Sequence, residues 1–176
     1  MRIIAGSRKG ARIFAPKGET RPTGDRVREA AFNLIGPVDD VAVLDLFAGS
    51  GAMGLEALSR GASSVVFVES DRDAQRTIER NLEKLGLKGA RIVKSDARRA
   101  LAAEAAAGRR YDLVLVDPPY RMLDSVLPTL STYLPSLLAE DGIVVVESPA
   151  REQPELPLTE RTSRKYGSVR LTVFEP

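Results

Sequence analysis

Residues 41–54 read VAVLDLFAGSGAMG. Val41 to Leu46 form an apolar run broken only by Asp45, the pattern of a strand buried on both faces. Gly49-Ser50-Gly51-Ala52-Met53-Gly54 follows at once and spells G-x-G-x-x-G. GAMGLEALSR (51–60) then reads as a helix stopped by Gly61. Glycines between a strand and a helix let the backbone turn tightly and let a ligand approach it.

The same alternation continues outward. SVVFVE (64–69) is a second strand. Asp71 starts a helix with Ala74, Ile78, Leu82 and Leu85 on one face, closed by Gly86. ARIVK (90–94) is a third strand, and Asp96 caps an alanine-rich helix over 97–107. YDLVLVD (111–117) is the fourth strand. Residues 124–138 read as a helix interrupted at Pro128 and Pro135, and GIVVVES (142–148) is the fifth strand. Alternating strands and helices with apolar strands imply a parallel sheet covered on both faces. LTERTSRK (158–165) and SVRLTVFE (168–175) differ, because their connection around Tyr166 and Gly167 is short enough to demand an antiparallel pair. The loop 149–157, with Pro149, Pro154 and Pro157, reads as a connector.

Upstream, RIIA (2–5) and ARIF (11–14) flank SRKG and read as a short basic hairpin. Residues 15–24 look like a loop. Thr23 or Asp25 can cap a helix over about 26–35, with Val27, Ala30, Ala31 and Leu34 on its apolar face. The expected organisation is a basic hairpin and loop over 1–24 and one compact unit over 25–176.

Composition narrows the chemistry. The 176 residues contain neither cysteine nor histidine, which removes thiolates, disulfides, the usual general base near neutral pH and the commonest transition-metal ligand. Carboxylates, backbone groups, Lys, Tyr, Ser or a cofactor must do the work, and no acidic motif suggests a metal. The net charge of +2 is unevenly spread: residues 1–28 hold eight basic side chains against two acidic, so the remainder is net acidic. That segment reads either as a solvated terminus or as an arm for a polyanion. No apolar stretch approaches the roughly 18–20 residues that span a bilayer, and the N-terminus lacks a long apolar signal core. A cytoplasmic protein without membrane contact is expected.

The glycine loop alone fits a dinucleotide, with Glu69 at the next strand tip to accept ribose hydroxyls. Asp45 argues otherwise. A carboxylate below the loop would repel a pyrophosphate by about 1 kcal/mol or more. It would attract the ammonium and sulfonium of S-adenosylmethionine. Asp45 can equally cap the loop or the helix, Glu69 can be a surface acid, and Asp96 can be a plain helix N-cap. In the ligand reading, Asp96 and the Ala97 N–H meet the adenine.

Asp117-Pro118-Pro119-Tyr120 ends the fourth strand. In an open sheet of this kind, ligands bind beyond the carboxyl ends of the strands where the order reverses, so this tetrapeptide should face the glycine loop. The Asp117 carboxylate and Pro118 carbonyl can each accept one hydrogen of an –NH₂ group, and Tyr120 offers a face for a base. This suits methylation of an exocyclic amine, through positioning and electrostatics. A rigid loop with a packing tyrosine is the plainer reading. A base within a duplex cannot reach such a pocket, so the substrate must be single-stranded, looped or flipped.

LDLFAGSGAMGLEALSRGA, FVESD, DPPY and RIIAGSRKGARI…RPTGDRVREAAFNLI together resemble the bacterial 16S ribosomal RNA guanine-N2 methyltransferases of the RsmD type, over residues 2 to about 148 and more faintly through YGSVRLTVFE. The resemblance implies an α/β, Rossmann-like class I methyltransferase. Its seven-stranded sheet would be mostly parallel with an antiparallel last strand, and an N-terminal β-hairpin would extend it. It implies transfer from S-adenosyl-L-methionine, leaving S-adenosyl-L-homocysteine, to the N2 amine of one guanine, with no metal. The RNA would be presented in a small-subunit particle or assembly intermediate, and the enzyme would be a monomer. Asp45, Gly49 and Gly51 would hold the methionine end, Glu69 the ribose, and Asp96 with Ala97 the adenine. Phe47, Ser50, Ser70 and Asp117 complete the implied cofactor set. Asp117, Pro118, Pro119 and Tyr120 would form the catalytic loop, and Arg2, Arg8, Lys9, Arg12, Thr23, Arg26 and Arg28 would face the RNA. Stretches 98–110 and 150–164 carry no signature of the family. Three alternatives stay open: a DNA adenine-N6 or cytosine-N4 methyltransferase, an NAD-dependent oxidoreductase, and a non-catalytic RNA-binding module.

Overall fold

The apolar runs become the strands of one sheet in a computed structural model that describes residues 1–16 and 24–176. In chain order the elements are α1 (Asp25–Ile35), β1 (Ala42–Leu46), α2 (Ala52–Ser59), β2 (Ser64–Glu69), α3 (Arg72–Leu85), β3 (Ala90–Lys94), α4 (Ala97–Ala106), β4 (Tyr111–Val116), α5 (Leu123–Leu137), β5 (Leu138–Pro149), β6 (Thr159–Tyr166) and β7 (Val169–Glu175). The seven strands lie in the order β3-β2-β1-β4-β5-β7-β6. The first five strands run parallel, and β7 runs antiparallel to both β5 and β6. The expected Rossmann-like sheet is therefore present, with β7 alone reversed.

Each sheet face buries its own core. On one side Val43, Val65, Phe67, Leu113 and Leu115 pack with Ala31 and Phe32 of α1, Leu55 of α2 and Ile78 of α3. On the other, Leu44, Leu46, Val114 and Val116 pack with Leu101 of α4 and Leu130 and Leu134 of α5. Alternate strand residues face opposite ways, so a strand flanked by two helical layers must be apolar at nearly every position. No helix among the described residues is long and apolar enough to cross a membrane.

Several expectations need correction. The prolines do not interrupt α5, which runs through both Pro128 and Pro135. Both are exposed, so water can serve the carbonyls they leave free, while Leu123, Val126, Leu130, Leu134 and Leu137 keep one buried face. Strand β5 begins before residue 142, because Leu138 already pairs with Tyr111 ahead of a register shift. Asp25 does not cap α1. Gly24 is its N-cap, and no side chain caps there. Asp25 is the first helical residue, and its carboxylate accepts from Arg28 Nη2 at 2.9 Å and Arg2 Nε at 3.2 Å. Thr23 and residues 17–23 of the expected loop lie outside the described residues. The buried face of α1 carries Arg28, Ala30, Ala31, Phe32 and Ile35, leaving Val27 and Leu34 half-buried.

The N-terminal hairpin is reduced to one antiparallel bridge, Arg2 to Arg12, around a 3₁₀ turn at Gly6–Arg8. Its two halves pair through Ile3 N to Ala11 O at 2.9 Å and Ile13 N to Met1 O at 3.1 Å, and its backbone also bonds to α2. The Glu56 carboxylate accepts from Ile4 N at 2.8 Å and Ala5 N at 2.9 Å, and Ser59 Oγ donates to Ala5 O at 2.6 Å. A Cβ on Gly6, whose φ is +80°, would lie 1.8 Å from Ser59 O. Only glycine lets the arm come this close. Ile3 and Ile13 then join the core on the α1–α3 side.

Candidate active site

The register of β1 and β4 brings the two motifs together. Leu46 pairs with Val116, so the chain leaves both strands at one level, into Phe47 on one side and Asp117 on the other. The strand order reverses between these two strands, and in open sheets the ligand crevice lies beyond the carboxyl ends at such a reversal.

The loop after β1 is set by its backbone. Phe47, Gly49 and Gly51 take φ of 63°, 54° and 79°, alternating with ordinary residues. Two glycines supply this readily, while Phe47 adopts it against its own preference. Gly49 N donates to Glu69 Oε2 at 2.8 Å, and Asp71 N donates to Glu69 Oε1 at 2.8 Å. Glu69 thereby fastens the loop to the tip of β2, and each of its oxygens keeps a further lone pair at the mouth of the crevice. The third glycine has a packing role, since a Cβ on Gly54 would lie 2.3 Å from the Phe67 ring.

Asp45 is buried, 3% exposed, and its Oδ2 accepts from Gly54 N at 3.0 Å in the first turn of α2. The capping role left open by the sequence is thus real. Burial pushes its carboxyl up to about 8, against the pull of the Gly54 N–H, and the nearby carboxylates Asp117 and Glu69 add to the rise. Below that pH the group is mostly protonated. A cation placed beside it would favour ionisation, which a pyrophosphate would not do.

Asp117 is half-buried, Pro118 buried, and Tyr120 37% exposed. Pro119 O accepts from Met122 N at 2.7 Å, which closes a 3₁₀ turn at Tyr120–Met122 leading into α5. At the other side of the crevice Asp96 caps α4, accepting from Arg99 N at 3.0 Å, with its second oxygen 3.5 Å from Arg99 Nε. One carboxylate oxygen therefore makes the cap, while the other has a longer ion-pair contact and the side chain stays half exposed. Ala97 is buried in the first turn, and Ser70 is exposed between Glu69 and Asp71.

The basic residues divide. Lys9, Arg12 and Arg26 are exposed, as is Arg2 beside Asp25. Arg8 donates to Leu85 O at the end of α3 and to Ser7 O at 3.3 Å. Arg28 does not face RNA. Its side chain is fully buried, donates to Arg2 O and Asp25 Oδ1, and lies 3.6 Å from the equally buried Glu56. A guanidinium can occupy an interior position when carboxylates and a carbonyl surround it.

Two organising residues escaped the sequence reading. Glu56 binds the arm, Arg28 and Arg60 Nε at once. Asn81, fully buried, accepts from Phe14 N at 2.7 Å and donates to Phe14 O and Ser50 O, each at 3.0 Å. Asn81 follows Ala74 and Ile78 at helical spacing and precedes Leu85. A polar residue on that apolar stripe was the available signal.

A family profile described as "Conserved hypothetical protein 95" matches residues 1–175. YlbH of Bacillus subtilis (strain 168) is 44% identical over 164 residues, covering 90% of this chain and 87% of its own length. The Escherichia coli (strain K12) protein named "Ribosomal RNA small subunit methyltransferase D" is 41% identical over 152 residues, covering 84% of this chain and 74% of its own. A solved structure of a hypothetical protein from a Thermus species superposes with TM-score 0.87 at 35% identity, covering 100% of this chain and 99% of that one. With a profile match that stops one residue short of the C-terminus and relatives this similar over most of their length, the chain belongs to this family, the RsmD-type class I methyltransferases.

Proposed function

We propose that the chain transfers a methyl group from S-adenosylmethionine to the N2 amine of a guanine in small-subunit ribosomal RNA, acting as a monomer on an assembled or assembling subunit. The observation that carries this reading is the shared level of Phe47 and Asp117 at the ends of β1 and β4. It supports a reading in which the loop after β4 would hold an amine beside a glycine loop suited to a cationic, phosphate-free ligand. The name of the E. coli relative supports the choice of RNA.

The residues present fit the cofactor. Asp45, a buried carboxylate that favours a nearby cation, would serve the ammonium end with Gly49 and Gly51. Phe47 and Ser50 belong to the same loop. Glu69 and Ser70 would meet the ribose, while Ala97 and the exposed edge of Asp96 would meet the adenine. When bound, S-adenosylmethionine supplies a methyl group on a positively charged sulfur that departs as a thioether.

The chain's own groups do the rest. Guanine N2 is a poor nucleophile because its lone pair is delocalised into the ring. The Asp117 carboxylate and Pro118 carbonyl each accept one of its hydrogens and turn the lone pair out of the ring plane. Pro118 and Pro119 keep that geometry stiff, and Tyr120 stacks on the base. Asp117 stabilises positive charge growing on nitrogen and then takes the proton or passes it to water.

The test supplies labelled methyl donor with unmodified small subunits, naked RNA and DNA, then maps the label. Label should appear on guanine N2 in the RNA. It should vanish in Asp117→Ala while calorimetry shows cofactor affinity largely kept. Label on DNA, or on another RNA atom, would reject the assignment.

A further inference from the structure

The loop after β5, expected only as a connector, is a built wall. Ala150 N donates to Ser168 O, and Glu152 N to Pro149 O, each at 2.9 Å. Ser148, fully buried, donates through Oγ to Glu152 O at 3.0 Å, and Arg170 Nη2 donates to Ala150 O at 3.2 Å. Strands β5 and β7 therefore hold both ends of the turn. Across from it stand Tyr120 and Arg121, and the space between measures about 550 Å³. Pockets that take small molecules run from roughly 300 to 1,000 Å³, so a whole nucleotide can enter.

This cavity adjoins the place of reaction and shares Tyr120 with it. Asp117 lines a different void, of about 20 Å³, with Met53 and Glu147. The larger cavity begins at Tyr120, one turn further along the catalytic loop. Two arginines line it, Arg121 from the catalytic loop and Arg151 from the turn after β5. Arg151 is 88% exposed and lies 3.7 Å from Glu152, the one carboxylate among the described lining residues. A planar cation from each segment suits a phosphate, which accepts paired hydrogen bonds from guanidinium, and an aromatic edge suits a base.

We propose that this cavity is a second nucleotide subsite, which takes the nucleotide adjoining the methylated guanine with its phosphate between Arg121 and Arg151. The inference rests on the RNA-methyltransferase reading above. A base swung out of its stack carries its neighbouring phosphates with it, and the strand must be gripped beside the point of reaction. The wall 149–152 supplies that grip, and the catalytic loop supplies the opposite jaw.

The test uses the full chain with unmodified small subunits over a series of potassium chloride concentrations, measuring both subunit binding and methyl transfer. Removing one phosphate contact should flatten the logarithmic salt slope by about 0.7, which is about fourfold in affinity near physiological salt. Arg151→Glu should therefore raise KM for the subunit by that factor or more, with kcat and S-adenosylmethionine affinity unchanged. Arg151→Lys should keep most of the wild-type slope, and Arg121→Glu with Arg151→Glu should lose more than either alone. An unchanged slope in the double variant overturns the subsite. So does lost S-adenosylmethionine affinity in Arg151→Glu, which would give the cavity to the cofactor. Wild-type protein that binds with an arginine-dependent slope yet transfers no methyl group keeps the subsite and rejects the enzymatic reading. Wild-type protein that methylates while the variants match it rejects the subsite alone.

Discussion

Asn81 holds both backbone polar groups of Phe14 with one side-chain amide, and the same amide nitrogen reaches the Ser50 carbonyl. The basic arm and the glycine loop are thus fastened to one buried point on α3. Asn81→Leu keeps the branched shape, adds some bulk and removes three hydrogen bonds. It should cost about 2–4 kcal/mol, because Phe14 and Ser50 are left with unsatisfied groups. Urea denaturation checks the stability. Calorimetry should show weaker S-adenosylmethionine binding in the folded variant, since the Ser50 carbonyl loses its anchor.

Glu56 and Arg28 form a second internal hinge for the arm. Both side chains are fully buried, and removing one partner strands the other's charge. Arg28→Met or Glu56→Gln should destabilise the protein by about 3 kcal/mol or more in urea melts. Glu56→Gln should also speed hydrogen exchange at Ile4 and Ala5, whose amides its carboxylate binds. Slow exchange at both amides in the variant would show that another group secures the arm.

Asp45 gives stability a pH dependence of defined sign. Its carboxyl rises from 3.8 to about 8 in the folded protein, so the native state holds that proton more tightly than the unfolded chain. The contribution to stability is complete below about pH 4 and is lost as pH climbs through about 8. Asn at this position can accept the Gly54 N–H but cannot ionise. Asp45→Asn should therefore gain stability relative to wild type as pH rises from about 5 to about 9, and should bind S-adenosylmethionine poorly throughout. Parallel stability curves for the two proteins would contradict the elevated carboxyl.

Gly54 and Phe67 test the packing beneath the loop. A Cβ on Gly54 falls 2.3 Å from the Phe67 ring, so Gly54→Ala should destabilise by about 1–3 kcal/mol through overpacking. Adding Phe67→Leu opens that space. The double variant should be more stable than the sum of the two single changes predicts, by about 1 kcal/mol in a denaturation cycle. Strict additivity would mean that the ring moves aside without cost.

What the sequence made legible was local. The strands SVVFVE and ARIVK match β2 and β3 at both ends, because a short β-branched run between turn residues leaves little choice of boundary. Asp71 and Asp96 cap their helices as expected, since an N-cap acts within three residues. The pairing of DPPY with the glycine loop was also readable, because a reversal between the first and fourth strands follows from the order of elements. The arm was not. Its backbone finds Glu56 across about fifty residues of chain, and no turn signal records such a partner. Arg28 misled because positive side chains ordinarily seek water, and its interior carboxylate lies on another helix. The loop 149–157 does connect β5 to β6 as expected, but its bonds to Ser168 and Arg170 could not be read, because proline-containing connectors look alike whether they hang free or are bonded at both ends.

Glu69 already grips Gly49, and Asp45 already grips Gly54, through contacts internal to the polypeptide. The cradle is consequently shaped by folding and not by its guest. Ordering five loop residues on arrival would consume about 1–2 kcal/mol apiece. A docking site cast in advance escapes that penalty, so capture of the methyl donor should proceed as a rigid, lock-like encounter whose speed is governed by diffusion and orientation.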